Sequence, residues 1–424
     1  APWRDAALGG CGHRRTDDHS GTDDGEPVTM LGMLAQLLGG GKPAEPGPSM
    51  GEPELAFDLH DTSALVAKRL KKLGYRVHTG IAETGLAAVL KNGDGPVIMF
   101  RSDMDALPVK EESGLPYASK KQVELDDGST SYVSHACGHD SHTAWLLGIA
   151  KVMMETRDAW SGTLVLVGQP AEELIAGAQA MVDDGLYDKV PKPSLLISAH
   201  VYPVWPAGTV AVKAGRRMAG SDQLDVHLTG IGGHGSRPEG TIDPVVMGAR
   251  AVMAYQTIVS RNHYAQDDLV VSVTQIHTGT TDNVIPETAY INGTVRSFDK
   301  EVQAMVIRRM EQIVAGQATS YDVSATLEYE KGYPATVNTP EEAGFAAAVA
   351  TEIAGEDRVI ADNGRETGAE DFSYMLEKRP GAYLFIGQGD TAGLHHAAYN
   401  FDDEIAPVGA SFFARIVERA QPLG

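Results

Sequence analysis

Cysteine is nearly missing from this chain: 424 residues hold two, Cys11 and Cys137. A Cys137 that ligates a metal cannot sit in a bridge, so no disulfide is expected, which favours a reducing compartment. Basic side chains are also scarce. Lys and Arg total 35 against 57 Asp and Glu, a formal net charge of -22. That balance argues against nucleic acid and anionic membrane surfaces as partners, because binding phosphates takes basic patches. It leaves small anionic substrates open, since a few local Arg residues suffice for them. Long apolar runs are lacking too, with nothing approaching the ~20 residues of a membrane span. The chain begins at Ala1 and shows no signal-peptide core, so any targeting segment is expected to have been removed or never to have existed. The expected location is the cytoplasm, with periplasm or secretion left open.

What is present exceeds one comfortable core, and the length predicts two domains. Residues 1–50 read as an atypical tail. Asp17, Asp18, Asp23 and Asp24 sit among Gly, Thr and Ser, Gly39 to Pro48 is rich in Gly and Pro, and Met30 to Leu38 is too brief for a stable helix. Cys11, His13 and His19 are read there as tail composition rather than as a metal cluster.

The densest chemistry lies in Ser134 to Ala144, SHACGHDSHTA, with one Cys, three His and one Asp just before a helix predicted over 143–154. Cys137 and His139 are one residue apart and can reach a common point. Thiolate with imidazole suits Zn, Co, Ni or Mn-type ions. Alone, the stretch also reads as a helix start with an incidental Cys and solvated His residues. Its distant partners decide. Val97 to Phe100 is a continuous apolar run of the kind buried on both faces of a sheet, and it ends in Asp103 and Asp105. Thr163 to Val167 is a second such strand and delivers Glu172-Glu173, adjacent carboxylates that repel unless a cation lies between them. Leu195 to Ser198 leads to His200, and Tyr383 to Ile386 leads through a Gly-rich loop to His395-His396. Each pair alone can be a solvated or capping feature. As a set, they gather metal-type side chains beyond the carboxyl ends of strands, where open α/β sheets place their ligand crevice.

Elsewhere, Thr62 or Ser63 is predicted to cap a helix with Leu65, Val66, Leu70 and Leu73 at helical spacing, stopped by Gly74. Lys120 to Thr130 is predicted as a polar loop. A separate module then interrupts the core: a strand at Gln223 to Leu228, a helix capped by Asp243-Pro244 and running to about Ser260, strands at Leu269 to Gln275 and Thr288 to Ser297, a helix at Glu301 to Ala315, and a strand at Val323 to Tyr329. That β-α-β-β-α-β order is ferredoxin-like. The loops carrying His234 and Asn283 within it read first as turn chemistry.

The segments SDMDALPV, HACGHDSHTA, GQPAEE, the strand-end His200, GGHGSRP, DNVIP, GTVRSF, GAEDFSYM and LHHAAYNFDDE follow one another from roughly Gly51 to the C-terminus. On them the chain resembles the amidohydrolase branch of the dinuclear metallopeptidases, which includes hippurate hydrolases, N-acyl-amino-acid deacylases and plant auxin-conjugate hydrolases. The resemblance implies an α/β fold. Its zinc-peptidase-like catalytic domain, a mixed sheet with helices on both faces, would occupy 51–215 and 333–424. An inserted ferredoxin-like α+β lid or dimerisation domain would occupy 216–332, and a homodimer or higher homo-oligomer is expected through it.

The same resemblance implies two divalent metal ions (Mn, Zn, Co or Ni) held by Cys137, His139, Glu173, His200 and His395. It makes Glu172 the general base, His234 and Asn283 lid residues that contact substrate, Arg296 a substrate-binding residue, and Asp103 and Asp105 supporting groups. The implied reaction is hydrolysis of the amide bond of a small N-acyl or N-aroyl amino acid, with a dipeptidase or a non-catalytic metal-binding descendant as rival readings. A thiol redox protein is disfavoured, because no second Cys lies near Cys137. Three departures from the pattern bear on substrate preference more than on metal binding. The family is commonly Gly-rich after GQPAEE, where this chain has Leu174 and Ile175. Thr367 stands where Met is typical, and Gly51-Glu52-Pro53 stands where the family carries a His-containing helix.

Overall fold

Apolar strands buried on both faces build the centre of the molecule. The computed structural model describes residues 52–423 apart from Asp126, Val204 and Asp362. The tail expected over 1–50, with Cys11, His13 and His19, lies outside the described residues. In chain order the strands are β1 (Arg76–Ile81), β2 (Gly85–Asn92), β3 (Val97–Asp103), β4 (Gln122–Glu124), β5 (Thr130–Tyr132), β6 (Gly162–Gln169), β7 (Leu195–Tyr202), β8 (Val210–Ala211), β9 (Gly215–Met218), β10 (Gly220–Thr229), β11 (Gly233–His234), β12 (Leu269–Thr278), β13 (Val284–Ile285), β14 (Thr288–Ser297), β15 (Ser324–Lys331), β16 (Thr336–Asn338), β17 (Val359–Ile360) and β18 (Gly381–Gly387). The helices that matter below are α1 (His60–Lys72), α2 (His139–Glu155), α3 (Gly177–Asp183), α4 (Pro244–Thr257), α5 (Lys300–Tyr321), α6 (Phe372–Leu376) and α7 (Ala406–Ala420).

Eight strands form one mixed sheet in the order β1-β2-β6-β3-β7-β18-β8-β17. Its middle, β6-β3-β7-β18, is parallel, and β6 and β18 bury every residue. Such strands need cover on both faces. Helices α2 and α7 supply it on one side, where the Phe100 and Phe413 rings lie 4.0 Å apart. On the other, Met181 of α3 and Phe372 of α6 pack against Met99, Val165, Val167 and Phe385. The parallel strands all deliver their carboxyl ends to one edge, which is where the site forms.

The second sheet is antiparallel, in the order β12-β14-β10-β15. Helices α4 and α5 cover one face, with Met247, Ala251 and Tyr255 of α4 and Val306 and Met310 of α5 packed on Leu224, Val226, Ile291 and Val295. This is the expected ferredoxin-like arrangement. Helix α4 starts as the sequence implies: the Asp243 carboxylate accepts from Val245 N at 2.8 Å and Val246 N at 3.4 Å, and Pro244 takes the first helical position. Replacing Asp243 by Ala should lower the unfolding free energy by about 1 kcal/mol; an unchanged urea midpoint would remove this cap from the account.

Three local expectations are corrected. Helix α1 begins at His60, so Thr62 and Ser63 lie inside it, and neither caps it. The acceptor comes from outside: the Glu54 carboxylate takes Asp61 N at 3.1 Å and Thr62 N at 2.8 Å, and a negative charge there also suits the helix dipole. The segment 120–130 is not all loop, because β4 and β5 pair there as a short antiparallel hairpin. His200 lies within β7 rather than beyond its end.

Candidate metal centre

Cys137 and His139 stand at the start of α2, and the turn between them depends on glycine. Gly138 takes φ 77°, and a Cβ there would fall 2.5 Å from both Tyr399 Oη and Val201 Cγ1. Glu172 and Glu173 follow β6 in a tight loop. Ala171 sits at φ 54°, and Gly177 approaches so closely that a Cβ would lie 1.6 Å from the Pro170 carbonyl oxygen. His395 occupies the loop after β18 at φ 64°; its amide donates to Ala136 O at 2.7 Å, tying it to the Cys137 turn. Positive φ at non-glycine residues costs free energy, and it clusters where the surrounding structure holds functional groups in place.

These elements bring all five expected ligands together. The Cys137 Sγ lies 3.4 Å from His200 Nε2 and 3.2 Å from His395 Nε2. The Glu173 Oε1 lies 3.5 Å from His395 Nε2 and 3.9 Å from His139 Nε2. Hydrogen bonds on the far side of two rings set which nitrogen is bare. His139 Nδ1 donates to the Asp105 carbonyl at 2.9 Å, and His200 Nδ1 donates to the Val201 carbonyl at 2.6 Å. Both rings therefore aim an unprotonated Nε2 inward. His139 Nε2 and Glu173 Oε1 are buried without a hydrogen-bond partner, a costly state unless something positive meets them. A thiol, three imidazoles and a carboxylate thus converge, with His139 Nε2 and Glu173 Oε1 left unpaired, and the set fits divalent cations of the softer kind.

The three imidazoles differ electrostatically: against the effect of burial, Asp103 and Cys137 raise His139 well above its usual value, and the contact with Glu173 raises His395. Burial holds the His200 imidazole down to about 4, so it stays neutral as a ligand must. The Cys137 thiol is pushed well up by burial and by Glu173, so the protein alone does not favour the thiolate. A cation at the site would. Burial, then the charges of Glu370, Asp371 and Glu173, raise the Glu172 carboxyl well above the ordinary range. Its carboxylate makes no hydrogen bond among the described residues. Its backbone carbonyl is held by the Tyr333 hydroxyl at 2.9 Å.

Asp105 and Asp103 support the cluster in different ways. Asp105 Oδ2 accepts from the Glu173 amide at 3.0 Å, so one residue fixes both Glu173 and, through its carbonyl, His139. Asp103 Oδ1 accepts from His142 Nδ1 at 2.5 Å, and His142 Nε2 accepts from the Val201 amide at 3.0 Å. With both nitrogens engaged, His142 is a buttress for β7 beside His200, with ring centroids 4.6 Å apart. The other oxygen of Asp103 meets Arg101 Nη1 at 2.7 Å. Arg101 Nη2 reaches Glu370 Oε1 and Asp371 Oδ1, each at 2.9 Å, and its Nε donates to Gln169 at 2.8 Å. This guanidinium is fully buried. Arg101, His142, Glu370 and Asp371 were not singled out by sequence reasoning. The available signals were an Arg at the end of a fully apolar strand and a carboxylate pair in GAEDFSYM.

The remaining expected residues lie on the second sheet's side. His234 pairs with Val284 in the β11-β13 ladder, and Asn283 lies one step further along it, where Gly235 N donates to Asn283 O at 2.8 Å. Both are exposed, and neither is hydrogen-bonded to the cluster among the described residues. Arg296 is half-buried on β14 opposite Ser221, and its Nη1 is buried without a partner.

The profile of peptidase family M20/M25/M40 matches residues 99–419. Among curated proteins, the chain is 37% identical over 365 residues to the hippurate hydrolase of Campylobacter jejuni, covering 86% of this chain and 92% of that protein. It is 34% identical over 392 residues to the N-acetyl-L-cysteine deacetylase of Bacillus subtilis, covering 92% and 89% respectively. Among solved structures it is similar to the YxeP protein of Bacillus subtilis, described as a dinuclear metal-binding peptidase, with a TM-score of 0.75 and 29% identity over 92% of this chain and 97% of that one.

Proposed function

The chain belongs to peptidase family M20/M25/M40, and we propose from that premise which residues perform its reaction. It is a metal-dependent amidohydrolase acting on N-acyl amino acids, releasing a carboxylic acid and a free amino acid. We assign Cys137, His139, Glu173, His200 and His395 as the residues that hold two divalent ions, with Mn, Zn, Co and Ni as candidates for this donor set. When bound, such ions polarise the amide carbonyl and bring the pKa of a water towards neutrality.

The protein's own groups do the rest. Glu172 is buried next to Glu173, and its carboxylate makes no hydrogen bond among the described residues, so it can take a proton from the attacking water and return it to the leaving amine as the C–N bond breaks. Tyr333 fixes its backbone, and Asp105 fixes the neighbouring Glu173. His234 or Asn283 would donate to the oxyanion as it forms, once the second sheet approaches. Arg296, with an unpartnered Nη1, would receive the substrate's carboxylate.

We place the catalytic domain at 51–215 with 333–424 and the lid at 216–332. A homodimer through the lid is supported by β12, a ten-residue strand at the sheet edge, and by exposed Met253, Val246, Val259 and Ile276 beside it. A cytoplasmic location is supported by the buried free thiol of Cys137, which must stay reduced to act as a ligand. Among the described residues no helix is long and apolar enough to cross a membrane.

The observation that carries the assignment is the convergence of five ligand atoms, two of them buried without a hydrogen-bond partner, beside Glu172. It is tested by stripping the protein with a chelator and supplying Mn, Co, Ni and Zn in turn against N-acetyl and N-benzoyl amino acids. Activity should vanish on stripping and return with at least one ion. Full-rate hydrolysis by metal-free protein would overturn the mechanism.

A further inference from the structure

Leu174 and Ile175 follow the Glu172-Glu173 pair directly, and both are exposed, by 57% and 40%. Ile175 holds φ at 69°, a left-handed backbone in which a β-branched side chain is a steric outlier. Its amide donates to Glu172 O at 2.8 Å, so Ile175 closes the same tight turn that carries both carboxylates. The fold gains little from either side chain. Leu174 leaves more than half of its surface in solvent and Ile175 two fifths, and glycine would adopt the same φ without strain. Strain kept at an exposed apolar residue next to a reactive site points to a contact made only when substrate is present.

The chemistry of the site says which part of the substrate that is. No basic residue occurs from Gly168 to Ala178, and the unpartnered Arg296 on the second sheet is available for the carboxylate. The end of the molecule that meets Leu174 and Ile175 is therefore the uncharged acyl end.

We propose that Leu174 and Ile175 form an apolar lip that receives the acyl group, making this chain selective for N-acyl amino acids with long aliphatic or aromatic acyl groups over N-acetyl ones. The proposal rests on the amidohydrolase reading above. It is tested by measuring kcat and KM for N-acetyl-, N-hexanoyl-, N-decanoyl- and N-benzoyl-alanine with the wild type, Ile175→Gly and Leu174→Ser, each supplied with Mn, Co, Ni and Zn in turn, together with thermal midpoints.

In the wild type, kcat/KM for the decanoyl substrate should exceed that for the acetyl one by about tenfold or more. That ratio should fall about tenfold in Ile175→Gly, mainly through KM. The midpoint of Ile175→Gly should equal or exceed that of the wild type, because glycine relieves the backbone. A ratio unchanged in both variants, or a lowered midpoint in Ile175→Gly, overturns the lip and leaves the amidohydrolase reading standing. A wild type that cleaves none of the four substrates with any ion overturns that reading, and the lip with it.

Discussion

Glu172→Gln should lower kcat by about 10²–10⁴-fold and leave metal retention unchanged. The amide keeps the size and polarity of the side chain and can no longer accept a proton. The five donor atoms assigned to the ions all belong to other residues, and the backbone contact from Tyr333 is untouched by the change. Chemistry and metal retention should therefore separate. Turnover measured beside elemental analysis on the same preparation checks this. Near-normal kcat would strip Glu172 of its role. Lost metal together with lost turnover would instead make it a ligand.

Arg101→Met destabilises the protein by roughly 3–5 kcal/mol, because it leaves buried carboxylates without their cation. Asp103, Glu370 and Asp371 all pair with the one guanidinium at 2.7–2.9 Å. Burial opposes its charge, yet the three carboxylates hold it well above even the usual guanidinium range. Removing it exposes Asp103, Glu370 and Asp371 to one another's repulsion. Adding Glu370→Gln and Asp371→Asn to Arg101→Met should recover part of the loss, since the deficit lies in unpaired charge rather than in packing. Urea unfolding of the single and triple variants measures both effects. A loss below about 1 kcal/mol in the single variant would mean the carboxylates are already neutral without Arg101.

The residues assigned as ligands were legible because each carries its own signal: a buried strand that ends in a carboxylate pair, or a Cys and a His one residue apart before a helix. The alternation of the second sheet and its two helices was legible for the same reason, since period and capping are local. The Arg101 network was not. Two of its partners, Glu370 and Asp371, lie 269 and 270 residues away, and an Arg that ends an apolar run looks like the residue that brings a strand to solvent. The start of α1 was misplaced because its cap, Glu54, comes from outside the helix, seven and eight residues back. The hairpin of β4 and β5 was missed because two polar three-residue strands give no period to read. His142 resembled its neighbours in a His-rich stretch, and only its two hydrogen bonds distinguish a buttress from a ligand.

The chain enters and leaves the second sheet by adjacent strands. β9 pairs with β16 just before and after it, and β10 pairs with β15 within it. Two antiparallel straps side by side would favour one motion of that sheet, a swing about a single axis. His234 and Asn283 sit past the opposite end of β10 and β14 from this pivot. Ten residues at about 3.3 Å each make an arm of roughly 30 Å. A modest turn at the straps would therefore carry those two side chains through a wide arc, while Arg296, near the pivot, would scarcely move.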